Sequence, residues 1–182
     1  MTRLVVLLRG VNVGKGNRLP MADWRALLTS LGYSQVATLL NSGNAVCEAR
    51  GRSSTAHHAR VIAGALADRF GLQVPVVVKT AAELSAIVAG SPLADVAADP
   101  SRLLVVFAQH ADALAALAPI AALTVPPERL EIGAQAGYLH CANGILDSRA
   151  GSALLGKAGQ AFTTRNWATT CKLQALACGP GG

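Results

Sequence analysis

Residues 36–48, VATLLNSGNAVCE, decide how the rest of the chain is read. Val36–Leu40 and Ala45–Glu48 are short apolar runs of strand length, and NSGN between them supplies the Asn and Gly that adopt positive φ in a tight turn. The stretch predicts a β-hairpin. Upstream, Trp24, Leu27, Leu28 and Leu31 recur at helical spacing after Pro20 and stop at Gly32. Further upstream, Arg3–Leu8 is an apolar run of strand length feeding a loop rich in Gly and Asn, from Gly10 to Pro20. Downstream, residues 54–70 predict a second helix closed by Gly71, and Val74–Val78 predicts a strand whose Pro75 suits a sheet edge. The order β-α-β-β-α-β is that of a split βαβ, ferredoxin-like unit with two helices on one face of four antiparallel strands.

The fold class expected is therefore α+β, with a ferredoxin-like lobe over residues 1–79 and a smaller α+β lobe over 80–178. In the second lobe, Ala81–Ala89 predicts a helix, LLVVF (103–107) a strand, and Ala111–Leu117 a helix. RLEIG (129–133) and GYLHC (137–141) predict two strands around a turn, and a short helix follows near 152–158. A final helix is expected after Thr164, with Thr163 or Thr164 as its N-cap, and residues 179–182 form a flexible tail.

Apolar residues make up 52% of the 182 and charged ones 14%, a balance that supports a packed core and argues against disorder. The run LVVLL between Arg3 and Arg9 is too short for an export signal, and no apolar stretch has the length of a membrane span, so a cytoplasmic location is expected. Cys47, Cys141, Cys171 and Cys178 form no CxxC pair and have no His at zinc-ligand spacing. They are read as buried free thiols, with no metal, disulfide or cofactor.

The net charge is +6, and Arg3, Arg9, Lys15 and Arg18 in residues 1–20 and Arg149, Lys157, Arg165 and Lys172 in residues 148–182 meet no acid in either stretch. Between 51 and 147, eight acids outnumber six bases. Two basic chain ends favour an anionic partner. The alternative is a solvated, arginine-rich surface.

RGVNVGKGN (9–17) follows a strand as a phosphate loop does, but its spacing fits neither nucleotide motif. Gly10 and Gly14 are separated by three residues, Lys15 is followed by Gly16, and Leu19 stands where a dinucleotide fingerprint needs its third glycine. What survives is a loop carrying Arg9, Gly10, Asn12, Lys15, Asn17 and Arg18 that can grip an anion, or whose glycines serve only a crossing connection while Asn12 caps backbone groups. In NSGN, Asn41, Ser42 and Asn44 exceed what a bare turn needs and can present amide and hydroxyl groups to a ligand. At the last helix, Arg165 and Asn166 stand at the positive N-terminal end, with Thr169 and Lys172 on the same face as Arg165. No HExxH, GxSxG or paired-carboxylate motif is present, His57 and His58 fall in a polar stretch, and His140 and Cys141 as strand neighbours point to opposite faces. No catalytic residue is identified.

Four stretches carry a family resemblance: LLRGVNVGKGNRLPMADWRALLTSLGY, VATLLNSGNAVCE, YLHCANGI and TTRNWATTCKLQAL. With them the chain resembles the bacterial domain-of-unknown-function family 1697. That resemblance implies a two-lobed α+β fold and a set of recurring polar positions, with no established substrate or reaction. Where such proteins commonly show a Ser-Lys-Leu type stretch after the NGI motif, this chain has LDSRAGSALL, with Ser148 and Arg149 nearest.

The leading expectation is a binding protein for a phosphate-bearing ligand or nucleic acid, held in a basic cleft between the lobes by Arg9, Gly10, Asn12, Lys15, Asn41, Ser42, Asn44, Arg165, Asn166 and Lys172. Aromatic residues are only 4% of the chain, which argues against base-stacking recognition of single-stranded RNA. The alternatives are an enzyme acting on a small phosphorylated or carboxylated substrate, and an interaction module for an acidic partner. A monomer or homodimer with no membrane partner is expected.

Overall fold

The computed structural model describes residues 1–179 and shows a mixed α+β chain with two four-stranded antiparallel sheets and six α-helices. Of the tail expected at 179–182, all but Gly179 lies outside the described residues. The chain divides into two compact units, Met1–Leu84 with the segment from Leu173 onward, and Ser85–Lys172. The division between the two units falls within the helix Ala81–Ala89, and the last helix contributes its end to the first unit.

The first unit runs β1 (Thr2–Leu8), α1 (Met21–Ser30), β2 (Ser34–Leu39), β3 (Asn44–Ala49), α2 (Thr55–Phe70) and β4 (Val76–Thr80). Its sheet order is β2-β3-β1-β4, so β1 is central and pairs with both β3 and β4, while Pro75 sits beside an edge strand where its missing N–H costs no ladder bond. Leu4, Val6 and Leu8 project to one face and pack with Trp24, Leu27 and Leu28 of α1 and Ile62 and Leu66 of α2. The helical spacing of those apolar residues is what places both helices there. α2 is capped at both ends, with the Ser54 hydroxyl accepting from the His57 N–H and Gly71 in the left-handed conformation. The Tyr33 hydroxyl meets His58 Nδ1 at 2.7 Å and ties α2 to the segment entering β2. Arg3 and Glu48 face one another across β1 and β3 and form an ion pair at 3.2 Å. Arg3 also donates to the Leu176 carbonyl, which joins the end of the last helix to this unit.

The second unit contains the end of α3 (Ala81–Ala89), β5 (Leu103–Ala108), α4 (Ala118–Ala121), β6 (Arg129–Ile132), β7 (Gly137–His140), α5 (Arg149–Leu155), β8 (Phe162–Asn166) and the start of α6 (Trp167–Ala177). The sheet order is β6-β7-β5-β8, all antiparallel. Leu104, Val106, Leu139, Cys141 and Phe162 build its core with Leu114, Leu117 and Leu154. Ala111–Leu117, expected as a helix, is a 3-10 helix.

The largest departure from the sequence reading is β8. The sequence places a helix after Thr164, whereas Phe162–Asn166 pairs with β5 as an edge strand and the helix begins at Trp167. Asn166 supplies the cap, its side-chain oxygen accepting from the Thr169 N–H at 2.8 Å. Thr163 and Thr164 are β-branched, so the residues that suit an N-cap suit a strand equally well, and pairing with β5 decides between them.

Gly43 shows how closely the hairpin is fitted to β1. Its φ is +79°, and a Cβ placed there would lie 2.6 Å from the Leu8 Cβ. A Gly43→Ala substitution combines left-handed strain with overpacking and is expected to lower stability by about 2–4 kcal/mol, read from urea unfolding.

Candidate functional site

The loop between β1 and α1 is organised by one side chain. Asn12 donates through Nδ2 to the carbonyls of Leu19 (2.8 Å) and Asn41 (2.7 Å), and its Oδ1 accepts from the Leu19 N–H (2.9 Å). Asn17 adds a bond from Nδ2 to the Gly10 carbonyl, and the Asn12 N–H donates to the Asn17 carbonyl. Both asparagines sit at positive φ, 56° and 49°, a region that Asn tolerates because its short amide can bond locally. The loop is therefore closed on itself and pinned to the hairpin turn.

The turn is ordered from within. Asn44 is fully buried and its Nδ2 donates to the Leu39 carbonyl and to the Ser42 hydroxyl, both at 3.0 Å. Leu40 holds φ +58° while more than half exposed, a left-handed conformation that costs a leucine about 1–2 kcal/mol. The surplus of polar residues in NSGN thus goes first into holding the turn, with the Asn41 side chain left exposed.

Between loop, turn and helix start lies an open groove of about 320 Å³ lined by Asn12, Arg18, Leu19, Pro20, Met21 and Asn41. α1 begins at its edge, capped by no side chain, with Pro20 at the N-cap position and Asp23 the only acid in the first turn. The groove lining contains one charge, Arg18, and no His, Cys, Asp or Glu among the described residues. Arg18 and the Asn41 amide form no hydrogen bond or ion pair with any described residue.

Of the ten residues expected to bind, Asn12 and Asn41 line this groove. Lys15 is exposed on the same loop, and Gly10 takes φ +67° there; neither belongs to the lining. Arg9 is half-buried beside the loop, its backbone N–H bonded to the Pro75 carbonyl and its guanidinium pKa lowered by burial. Ser42 and Asn44 serve the turn. Arg165, Asn166 and Lys172 belong to the second unit. Arg165 lies on β8 and not on the helix, is 9% exposed, and donates to the Thr163 hydroxyl (2.9 Å) and the Thr164 carbonyl (2.7 Å). Burial pushes its pKa down to about 10. Asn166 spends its side-chain oxygen on the cap of α6, and Lys172 is exposed on that helix. Leu19, Pro20 and Met21 were not singled out from the sequence, although their position at the start of a helix behind a basic loop was the available signal.

The charge distribution also differs from the expected two basic ends. The first unit holds ten Lys and Arg against four Asp and Glu, so the whole excess of +6 resides in it, while the second holds six of each. The basic C-terminal stretch is balanced by acids of its own unit. Cys47 and Cys141 are buried, with thiols pushed up to about 12 and about 11 chiefly by burial, which keeps them protonated and unreactive at neutral pH. Cys171 is half-buried and Cys178 exposed, against the expectation of four buried thiols. No group of three or more His, Cys, Asp or Glu that could hold a metal occurs among the described residues, and no described helix is long and apolar enough to cross a membrane.

The sequence model of a family described as "Protein of unknown function (DUF1697)" matches residues 1–138. The chain belongs to the DUF1697 family. The match covers β1 through the start of β7, so both polar segments that bound the groove lie within it, while TTRNWATTCKLQAL lies beyond. The fold of this DUF1697 protein is similar to that of the conserved bacterial protein SP0830 from Streptococcus pneumoniae, at a TM-score of 0.81 and 24% identity over 97% of this chain and 98% of that one. No curated protein matches the sequence.

Asn12 and Arg18 are expected to separate on substitution. Asn12→Ala removes three hydrogen bonds and is predicted to cost about 2–3 kcal/mol and to raise hydrogen exchange in residues 10–19. Arg18→Ala, at an exposed position, should leave both unchanged.

Proposed function

We propose that this DUF1697 protein binds a small phosphate-bearing ligand in the groove of its first unit. The observation that carries the reading is the arrangement of Arg18 and the Asn41 amide around a groove whose backbone Asn12 has already fixed. A preordered loop saves the ordering cost that a flexible one incurs on binding. The uncapped start of α1 adds backbone N–H groups, and the net charge of +6 on this unit draws anions toward it.

Two observations favour binding over catalysis and a small ligand over a polymer. The lining holds no general acid or base, so an enzyme acting here would lack the group that moves a proton. A groove of about 320 Å³ suits a ligand the size of a sugar phosphate or mononucleotide and does not extend along a nucleic-acid backbone. The strand order β2-β3-β1-β4 supports the ferredoxin-like reading of the first unit.

Thermal-shift measurements with inorganic pyrophosphate, ribose 5-phosphate, AMP and a short oligonucleotide test this. Phosphate-bearing small molecules should raise the melting temperature, with a weak dependence on salt, and Arg18→Ala should weaken the interaction by about tenfold. A response to the oligonucleotide alone, lost steeply as salt rises, would show that the ligand is nucleic acid. No response to any of them removes the anion-binding reading.

A further inference from the structure

The second unit carries a groove of a different chemical character. Two adjoining depressions of about 120 and 320 Å³ share Leu123, Asp147, Ser148 and Arg149. One wall is apolar, made by Leu123, Val125 and Pro126 from the connection between α4 and β6. The opposite wall is the segment 143–149, which carries Asn143, Asp147 and Arg149. At the rim, Leu146 is 95% exposed and Val125 61%, so two apolar side chains stand in water beside the opening.

Two charged groups of this groove, Asp147 and Arg149, are not used by the fold. Asp147 and Arg149 carry opposite charges two residues apart, yet neither forms an ion pair or a side-chain hydrogen bond with the other or with any described residue. The Asn143 amide is likewise without a partner among the described residues. Glu128 lines the same groove beside Pro126 and Ser148. Ser148 in turn accepts from the Gly151 N–H at 2.7 Å. Glu128 and Asp147 thus place two carboxylates on the groove, and Arg149 a guanidinium.

A ligand that satisfies this lining has an ammonium for Glu128 and Asp147, a carboxylate for Arg149, and an apolar body for Leu123, Val125 and Pro126. We propose that this groove binds an α-amino acid zwitterion with an apolar side chain. A phosphate ester would meet two carboxylates against one arginine, and a purely apolar ligand would cover Asp147 and Arg149 without offering either a partner. Six basic and six acidic residues leave the second unit neutral, so no long-range field opposes a zwitterion. The inference is independent of the anion site in the first unit.

The test is a titration of the ¹⁵N-labelled full chain with L-leucine, glycine, leucinamide and N-acetyl-leucine, followed by NMR. L-Leucine is expected to shift amides in residues 123–128 and 143–152. Glycine lacks the apolar body, leucinamide the carboxylate and N-acetyl-leucine the ammonium, so each should bind about tenfold more weakly or worse. Asp147→Asn and Arg149→Ala, both at exposed positions, should abolish the leucine shifts while leaving the rest of the spectrum in place. Absence of shifts with L-leucine at tens of millimolar, equal shifts with leucinamide or N-acetyl-leucine, or undiminished binding by Arg149→Ala would overturn the proposal.

Discussion

The Asn12 side chain is the constraint on which the first unit's groove depends. Its three hydrogen bonds reach the end of its own loop at Leu19 and the hairpin turn at Asn41, so one amide sets the distance between segments 29 residues apart in sequence. Without it, Arg18 and Asn41 would sit on two independent loops. With it, they share a groove whose floor is backbone. The same residue explains why a glycine-rich connection after a strand need not be a phosphate loop. Its positive φ and its internal bonds use Asn chemistry to close the loop, and the glycines at 10 and 14 supply further left-handed positions.

That economy shapes the site chemically. Most polar groups that the sequence offers to a ligand are consumed by the fold: Asn12 in the loop, Asn44 and Ser42 in the turn, Asn166 in a helix cap, Arg165 on threonine oxygens of its own strand. What remains for a ligand on the groove of the first unit is what the fold does not use, Arg18 and the Asn41 amide. The same criterion, applied to the second unit, singles out Asp147, Arg149 and Asn143. Polar side chains gathered on a concave surface without protein partners mark both grooves, and the two differ in sign and in apolar content.

The elements of the first unit were legible because their signals are local. The turn residues of NSGN, the 3.6-residue apolar spacing of α1 and the Ser54 and Gly71 ends of α2 each act within a few residues of where they are read. β8 was not legible, since TTRN suits a cap and a strand alike and only pairing with β5 across more than 50 residues selects the strand. The site was half legible for the same reason. Asn12 stands out in a glycine-rich loop and Asn41 as a surplus polar residue of a turn, but whether such an amide binds ligand or backbone depends on what folds against it. Charge misled in a related way: residues 148–182 look basic along the chain, yet their four bases, Arg149 to Lys172, belong to a unit whose acids lie elsewhere in sequence.

Whether the Asn12-braced groove receives an anion decides the function of the first unit. An NMR titration of the ¹⁵N-labelled chain with inorganic pyrophosphate tests it directly. The prediction is that amide shifts are confined to residues 10–23 and 40–43, saturate, and disappear in Arg18→Ala. Shifts centred on any other segment, or none at millimolar pyrophosphate, would contradict it.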